Sequence, residues 1–417
     1  MKNKKAFVIL GVIAICVCGI IIFLNYQIRR TQNIIYLTTE QKLSDFDMLC
    51  KTLDESYPFW VDIEQTGIDK DSIYKEYRDI IKNTKTDIEF FKNIGYFLNE
   101  FKGSGHLSAI DGYMYELYIK ALTDSNDIIT DDEKQNIQML QKTLENENVQ
   151  KTYSLLDHTH KGFRSTIGLK DKYNENEEKT NSTLSQINSS IDDDRKYAYL
   201  KIESFNLQNY QNDKKILTNF FNEIEQIPNL IIDIRGNSGG SDLYWMDLLV
   251  KPNAKENLMS ERYFLFNKSE LINNYVSSIG LVSSDINSLS NNLTSKYAEF
   301  FTDYVIDREE VKKAEKPYSG NVYVLIDDKV YSSAENFVMF CKNTEFATLV
   351  GTNTNGDGGI ADPILLALPN SGLLIRFSAF YGLNKDGSGN ELNGTQPDIV
   401  VSENEDSLEK CIELINN

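Results

Sequence analysis

Residues 322–342 have the sequence VYVLIDDKVYSSAENFVMFCK, in which an apolar, β-branched run leads through a short turn into a helical pattern that begins at Ser332. Similar short apolar runs occupy residues 197–202, 229–234 and 373–380, and helical segments separate several of them. Runs of this kind predict strands, and strands that alternate with helices predict a largely parallel, buried sheet. The second half of the chain is therefore expected to have an α/β fold.

The pattern is different before residue 196. Apolar residues repeat at spacings of three to four in three runs, each opened by acidic residues, which predicts a small helical domain over residues 25–107. Residues 108–195 contain one helical pattern and a long polar stretch, and we expect a variable linker or insert there. The core is expected over residues 196–417, with an insertion at about 243–317 that has helical patterns of its own and would be able to lie over a site.

The N-terminal segment predicts a membrane anchor. Residues 6–24 contain no charged side chain, and a helix of this length spans a hydrocarbon layer of about 30 Å. Three lysines precede the segment and two arginines follow it, so the positive-inside bias favours a cytoplasmic tail at residues 1–5 and an extracytoplasmic body. A cleaved signal peptide is the alternative, but no A-x-A-like cleavage site follows. We expect a single-pass protein whose residues 6–24 contact the lipid bilayer.

Composition excludes several classes of protein. The chain has 417 residues, 62 acidic and 43 basic, with a net charge of −19. This balance argues against binding to nucleic acids or anionic membrane surfaces, which requires a basic face. Outside the apolar segment only Cys50, Cys341 and Cys411 remain, too few for a disulfide framework, and we expect buried thiols with one bridge left open.

Two turns that follow predicted strands carry candidate chemistry. Residues 230–240, LIIDIRGNSGG, place glycines after a buried strand, where backbone N–H groups can bind an anion or a developing oxyanion; a plain tight turn is the alternative. Ser332 opens a helix at the carboxyl edge of a strand, where open α/β sheets bind ligands. The alternative for Ser332 is a capping box with Glu335, in which the serine only caps the helix.

Other polar segments are less informative taken singly. His106, in the sequence GSGHLS, is a lone histidine flanked by glycines. His158 and His160 have no ligands at zinc spacing beside them, so no metal site is predicted. The Asp, Ser and Asn residues that begin segment 386–401 have the spacing of a calcium loop, but Pro397 stands where the bidentate glutamate is needed. No calcium site is therefore predicted, and Glu391 is left as a loop carboxylate.

In combination and order, these segments resemble the C-terminal processing peptidases, or tail-specific proteases, and especially their tricorn-core-like branch. The resemblance implies a crotonase/ClpP-like catalytic core with a mostly parallel sheet, preceded by the small helical domain and the transmembrane helix. The PDZ module of many relatives is not evident in residues 108–195. The motifs that carry the resemblance are G-H at 105–106, RGNSGG at 235–240, S-x-A-E at 332–335, VGTNTNG at 350–356 and E-x-x-G-x-x-P-D at 391–398.

The resemblance assigns catalytic roles residue by residue. Ser332 matches the nucleophile. Processing peptidases usually pair this serine with the lysine of a G-K-G turn, but the matching turn here contains Asp357, so a serine–lysine dyad is excluded. The tricorn-like branch uses a histidine and a glutamate, which implies His106 as the base and Glu391 as the residue that orients it.

The resemblance also implies the oxyanion donors and the reaction. The N–H groups of Gly239 and Ser333 are the expected donors, with Gly240 as the alternative. The implied protein is a membrane-anchored, extracytoplasmic serine endopeptidase that hydrolyses proteins or peptides through an acyl-enzyme, without metal or cofactor, and its activity is expected to rise with pH as His106 loses its proton. The main alternative is a catalytically inactive binding or scaffold protein of the same fold. A weaker one is acyl-transfer or thioester chemistry, which needs a coenzyme A pocket that the acidic composition disfavours.

Overall fold

The computed structural model describes residues 36–124, 131–156, 187–289, 297, 299–358, 363–402 and 404–417. The chain divides into two compact units. The first contains residues 1–54, 67–172 and 365–377, and the second contains residues 55–66, 173–364 and 378–417. Residue 107 lies inside the first unit, which also contains a late segment of the chain, residues 365–377.

The helices and strands are numbered in chain order. The helices are α1 Thr39–Ser56, α2 Trp60–Gln65, α3 Lys70–Lys82, α4 Asp87–Asn99, α5 Gly112–Asp124, α6 Asp131–Leu144, α7 Glu147–Tyr153, α8 Tyr210–Glu223, α9 Asp242–Trp245, α10 Lys251–Asn253, α11 Glu270–Ser278, α12 Ser333–Thr344, α13 Asn390–Asn393 and α14 Ser407–Asn416. The strands are β1 Ser108–Ala109, β2 Ile187–Ile191, β3 Ala198–Ile202, β4 Asn229–Asp233, β5 Leu258–Phe266, β6 Ser283–Asp285, β7 Asp303–Val311, β8 Asn321–Ile326, β9 Thr348–Gly351, β10 Ile364–Ala367, β11 Leu374–Phe377, β12 Tyr381–Leu383 and β13 Ile399–Val400.

The first unit is mainly helical, and side chains cap its helices as the acidic and hydroxyl residues predict. Thr86 and Glu89 form a capping box at the start of α4, and Asp69 accepts a hydrogen bond from the Ser72 N–H at the start of α3. Of the helices that the structure describes, none is long and apolar enough to cross a membrane. The predicted membrane segment, residues 6–24, and the pair His158 and His160 lie outside the described residues.

A small sheet in the first unit corrects one expectation. The run at 373–380 was expected to join the parallel sheet of the core, but its strand β11 pairs antiparallel with β1 and lies between β1 and β10. A strand of four residues carries no information about its partner, and here Arg376 pairs with Ser108, which lies far away in the sequence. This pairing brings the segment after His106 next to β11.

The second unit contains the predicted sheet. Its six strands lie in the order β13-β9-β8-β4-β3-β2, and every neighbouring pair is parallel except β2 with β3. Leu217 of α8 and Phe337 of α12 pack in the core on one face, and Cys411 of α14 packs on the other. The expected α/β core with a mostly parallel, buried sheet is confirmed. Cys50, Cys341 and Cys411 are free and buried, as expected.

The expected insertion contains more strand than its helical patterns indicated. Strands β5, β6 and β7 form an antiparallel sheet with β12. Ser260 and Arg262 occupy buried positions of β5, so the alternation of polar and apolar residues that normally identifies a strand is hidden. The Asn343 side chain of α12 donates a hydrogen bond to the Ser260 hydroxyl at 3.0 Å, which joins this sheet to the core.

The Glu309 carboxyl, in a buried ionic cluster of this sheet, has a raised pKa. Burial raises the pKa of the Glu309 carboxyl to about 7, with Asp242 and Asp307 adding to the shift. Arg262 opposes the shift, but its guanidinium bonds Asp307 at 2.6 Å and lies 3.6 Å from Glu309. Burial therefore affects the pKa of Glu309 more than Arg262 does, since one Glu309 oxygen is buried without a hydrogen-bond partner among the described residues.

Glu309 predicts a pH dependence of stability. A carboxyl with a raised pKa retains a proton in the folded state that the unfolded chain has lost, so the free energy of unfolding falls as pH rises from the ordinary 4.5 to about 7. The fall is on the order of 3 kcal/mol. Glu309→Gln is expected to remove it in urea unfolding at about pH 5 and about pH 8. Glu310→Gln, an exposed neighbour, is the control, and equal pH slopes in the two variants would contradict the assignment.

Candidate active site

Three loops of the second unit meet at one edge of the parallel sheet. Strands β4, β8 and β9 are parallel neighbours, so the loops that follow them begin at the same edge. The loop after β4 contains Gly239, the loop after β8 contains Ser332 and the loop after β9 contains Gly356. Ligands of open α/β sheets bind at this edge, which makes it the candidate site of this unit.

Ser332 has a strained backbone. Its φ is 58° and its ψ is −128°, a conformation that favours glycine and costs a residue with a side chain roughly 1–3 kcal/mol. The residue lies at the sharp turn from β8 into α12, at the positive end of the helix dipole. Ser332 is half-buried, whereas Ser333 is only 5% exposed and its hydroxyl has no hydrogen-bond partner in the described part of the chain. Of the two adjacent serines, Ser332 is the accessible one.

The capping-box alternative for Ser332 is wrong. The Ser332 side chain makes no capping hydrogen bond to α12. The Glu335 carboxylate instead accepts hydrogen bonds from the Asn390 amide at 2.7 Å and the Thr395 hydroxyl at 2.5 Å. Glu335 is fully buried, and this burial raises the pKa of its carboxyl against the effect of those hydrogen bonds. Glu335 thus fixes the first turn of α12 to the segment that carries Glu391.

The glycine loop after β4 lies directly against the serine turn. A Cβ on Gly239 would be 2.9 Å from the Ser333 nitrogen and 3.1 Å from the Ser332 Cβ, so only glycine fits there. The Gly239 N–H already donates to the side-chain oxygen of Asn237 at 2.8 Å. The amides of Gly240 and Ser333, by contrast, have no acceptor in the stretches that the structure describes. The loop therefore offers Gly240 and Ser333, rather than Gly239, as the pair of open donors.

Glu391 is linked to the serine turn through the loop after β9. The Ser332 N–H donates to the Gly356 carbonyl at 3.4 Å. A Cβ on Gly356 would be 2.9 Å from the Glu391 Cα, so the two backbones are in close contact. The next residue, Asp357, is buried and has a φ of 68°. The structure therefore brings the Ser332 turn, the glycine loop and the Glu391 backbone together within the second unit.

His106 belongs to the first unit. It ends a 3-10 turn, Ser104–His106, and has a φ of 60°, again a conformation that is strained for a residue with a side chain. The pairing of Ser108 with Arg376 places the β11 arginine beside the imidazole. The Arg376 Nη2 lies 3.2 Å from the His106 Nδ1.

Sequence reasoning missed three residues that hold these loops or contact His106. Asn237 holds the glycine loop, since its amide also donates to the Ile202 carbonyl at 3.2 Å. Asn390 is buried and contacts Glu335, and its oxygen accepts the Gly358 N–H at 2.7 Å. Arg376 contacts His106. Asn237 stands within the RGNSGG motif and Asn390 directly before the E-x-x-G-x-x-P-D motif, which was the available signal, whereas Arg376 stands in a run whose pattern predicts only a strand. Within the described ranges, no group of three or more His, Cys, Asp or Glu residues is placed to hold a metal ion.

Comparison with known proteins gives a family match and structures of similar fold. Residues 196–401 match the model of peptidase family S41. A candidate peptidase from Parabacteroides merdae is 20% identical, with a TM-score of 0.54 over 90% of this chain and 97% of that one. Mature CPAF in complex with lactacystin is 16% identical, with a TM-score of 0.51 over 91% of this chain and 97% of that one. At these identities the two structures support the fold alone. No curated protein matches the chain.

Proposed function

Because residues 196–401 belong to peptidase family S41 and the chain is a serine-type peptidase, we propose that it is an endopeptidase with Ser332 as its nucleophile. The conformation of Ser332 carries this proposal. A non-glycine residue at a φ of 58° persists only where the surrounding structure holds it, and such residues cluster at functional sites. The strained strand-to-helix turn presents a hydroxyl in the way that the nucleophile turn of hydrolases does. Protein or peptide substrates follow from the family.

The base and its orienting residue complete the proposal. A serine hydroxyl is a weak nucleophile until a base takes its proton, and Asp357 stands where many relatives have a lysine. His106 is the proposed base, and Glu391 is proposed to stabilise the imidazolium. Ser332 Oγ attacks the scissile carbonyl as His106 takes its proton, and His106 then protonates the leaving amine. Water hydrolyses the acyl-enzyme by the same two steps.

The open amides of Gly240 and Ser333 are the proposed oxyanion donors. Each donor of this kind contributes about 100 to 1,000-fold to the rate. Gly239, whose N–H is used by Asn237, is proposed to shape the hole and not to donate into it. The sequence favoured Gly239 as the donor and Gly240 as the alternative, and this proposal exchanges those two roles.

Gly239→Ala is expected to lower kcat/KM by about 100 to 1,000-fold, because the added methyl group would displace the Ser333 amide. Gly236→Ala is the matched control. Gly236 also has a positive φ, but a Cβ there meets nothing within 4 Å, so it carries similar backbone strain without the collision. The two variants are compared by kcat/KM on a fluorogenic unfolded protein, and their urea unfolding midpoints show whether both are folded. Equal losses in the two variants would remove the oxyanion loop from the proposal.

We also propose that residues 6–24 anchor the protein and that its catalytic body is extracytoplasmic. The support is the uncharged run with its flanking basic residues. Alkaline phosphatase and green fluorescent protein, each fused to the C-terminus, test the orientation in a bacterial host. We expect an active phosphatase and a dark fluorescent protein, and the reverse pattern would reject the orientation.

A fluorophosphonate probe tests the proposed chemistry and separates the enzyme from a binding protein of the same fold. The probe forms a covalent bond only with an activated serine. We expect one label per chain, located on Ser332 by peptide mapping and absent from Ser332→Ala. A folded sample that takes no label would support the binding protein.

A further inference from the structure

Arg376 lies beside the proposed base and forms no ion pair with the described residues of its own unit. Its guanidinium is half-buried on β11 and contacts His106 Nδ1 at 3.2 Å. Its Nε is a buried donor without a hydrogen-bond partner among the described residues. A half-buried charge with spare donors is costly in a purely structural role, which indicates a role in binding or catalysis.

The direction of this hydrogen bond defines the state of the imidazole. A guanidinium has five N–H donors, accepts no hydrogen bond and does not lose its proton in proteins. His106 Nδ1 must therefore be the acceptor, which makes the ring neutral with its single proton on Nε2. A neutral imidazole has one basic nitrogen, and in this structure that nitrogen is already bonded to Arg376. The same lone pair is needed to accept the proton of a serine hydroxyl.

We propose that Arg376 masks the base in the free enzyme and is withdrawn when an oxygen of the substrate accepts the guanidinium. This inference rests on the proposed function of His106. Arg376 is then a positioning residue that contacts His106 in the free enzyme and contacts the substrate in the complex, before proton transfer. Its free Nε and second amino group are the donors that a peptide carbonyl or carboxylate oxygen would engage. The β1–β11 pairing keeps the arginine within reach of His106 throughout.

The tautomer is measured first, in the intact protein. The chain has three histidines, so His158→Gln together with His160→Gln leaves His106 as the only imidazole. Long-range ¹⁵N NMR at mildly alkaline pH is expected to show an unprotonated Nδ1 and a protonated Nε2 in the free enzyme. A protonated Nδ1 would overturn the proposal without any effect on the assignment of Ser332.

Arg376→Met tests the mask, because methionine keeps an apolar stem and removes every donor. The small fluorophosphonate probe does not need Arg376, so we expect it to label this variant about tenfold faster than wild type, the effect of one charge-assisted hydrogen bond. The KM for an unfolded protein substrate is expected to rise, because a substrate contact is lost. Slower labelling of a folded Arg376→Met variant would show that the arginine supports the base, and an unchanged KM would remove the substrate contact. Wild-type protein that takes no label at all would instead reject the proposed function.

Discussion

Ser332→Ala is expected to lower kcat/KM for an unfolded protein substrate by about 10⁴ to 10⁶-fold, the loss that follows removal of the nucleophile from an acyl-enzyme mechanism. The remaining rate would come from the oxyanion donors and from substrate binding, which alanine leaves in place. The fold should be retained, because Ser332 makes no capping hydrogen bond. A fluorogenic casein assay at matched protein concentration measures the effect.

Ser333→Ala is the matched control for this prediction. The Ser333 hydroxyl is buried without a partner in the described stretches, and its backbone N–H, the proposed oxyanion donor, is kept in alanine. We expect its kcat/KM to stay within about threefold of wild type, a barrier change of less than 1 kcal/mol. A large loss in Ser333→Ala with an active Ser332→Ala would exchange the roles of the two serines.

His106→Gln is expected to lower kcat/KM by about 10⁴-fold or more, because the serine hydroxyl would lose its base. Substrate binding should change little, so the loss is expected in kcat more than in KM. The first unit should remain folded, since a glutamine removes the ring but leaves the turn Ser104–His106 and the β1–β11 pairing to the backbone.

The other two histidines serve as controls for His106. His158→Gln and His160→Gln are expected to retain wild-type kcat, because neither residue has a proposed role in the reaction. If His106→Gln kept more than about a tenth of the wild-type rate, the base would have to be another group.

The sheet could be predicted from the sequence because its central strands, β4 and β8, are mostly buried. The runs that became β4 and β8 are almost continuously apolar, as parallel strands are, and the glycine turn follows β4 while the serine turn follows β8. The family assignment rested on the same turns and is confirmed for residues 196–401. The β5–β7 sheet was missed because Arg262, a charged residue, occupies a buried position, where it pairs with Asp307 of a neighbouring strand.

The details of the candidate site depend on contacts that a sequence pattern does not encode. The S-x-A-E spacing is equally consistent with a capping box, and only the structure shows that Glu335 bonds Asn390 and Thr395 instead. The strained φ of Ser332 is set by the surrounding loops and not by its own preference. The contact between Arg376 and His106 depends on an antiparallel pairing between distant segments, which local periodicity cannot indicate.

A crystal structure of the fluorophosphonate adduct measures the central claim most directly, since the claim is that an imidazole and a carboxylate serve the Ser332 hydroxyl. In the adduct we expect one His106 ring nitrogen within about 3.2 Å of Ser332 Oγ or the phosphonyl oxygen, and the other within about 3.2 Å of the Glu391 carboxylate. Arg376 should no longer contact the ring. An adduct on Ser332 with the imidazole more than about 6 Å from both groups, well beyond hydrogen-bond reach, would contradict His106 as the base.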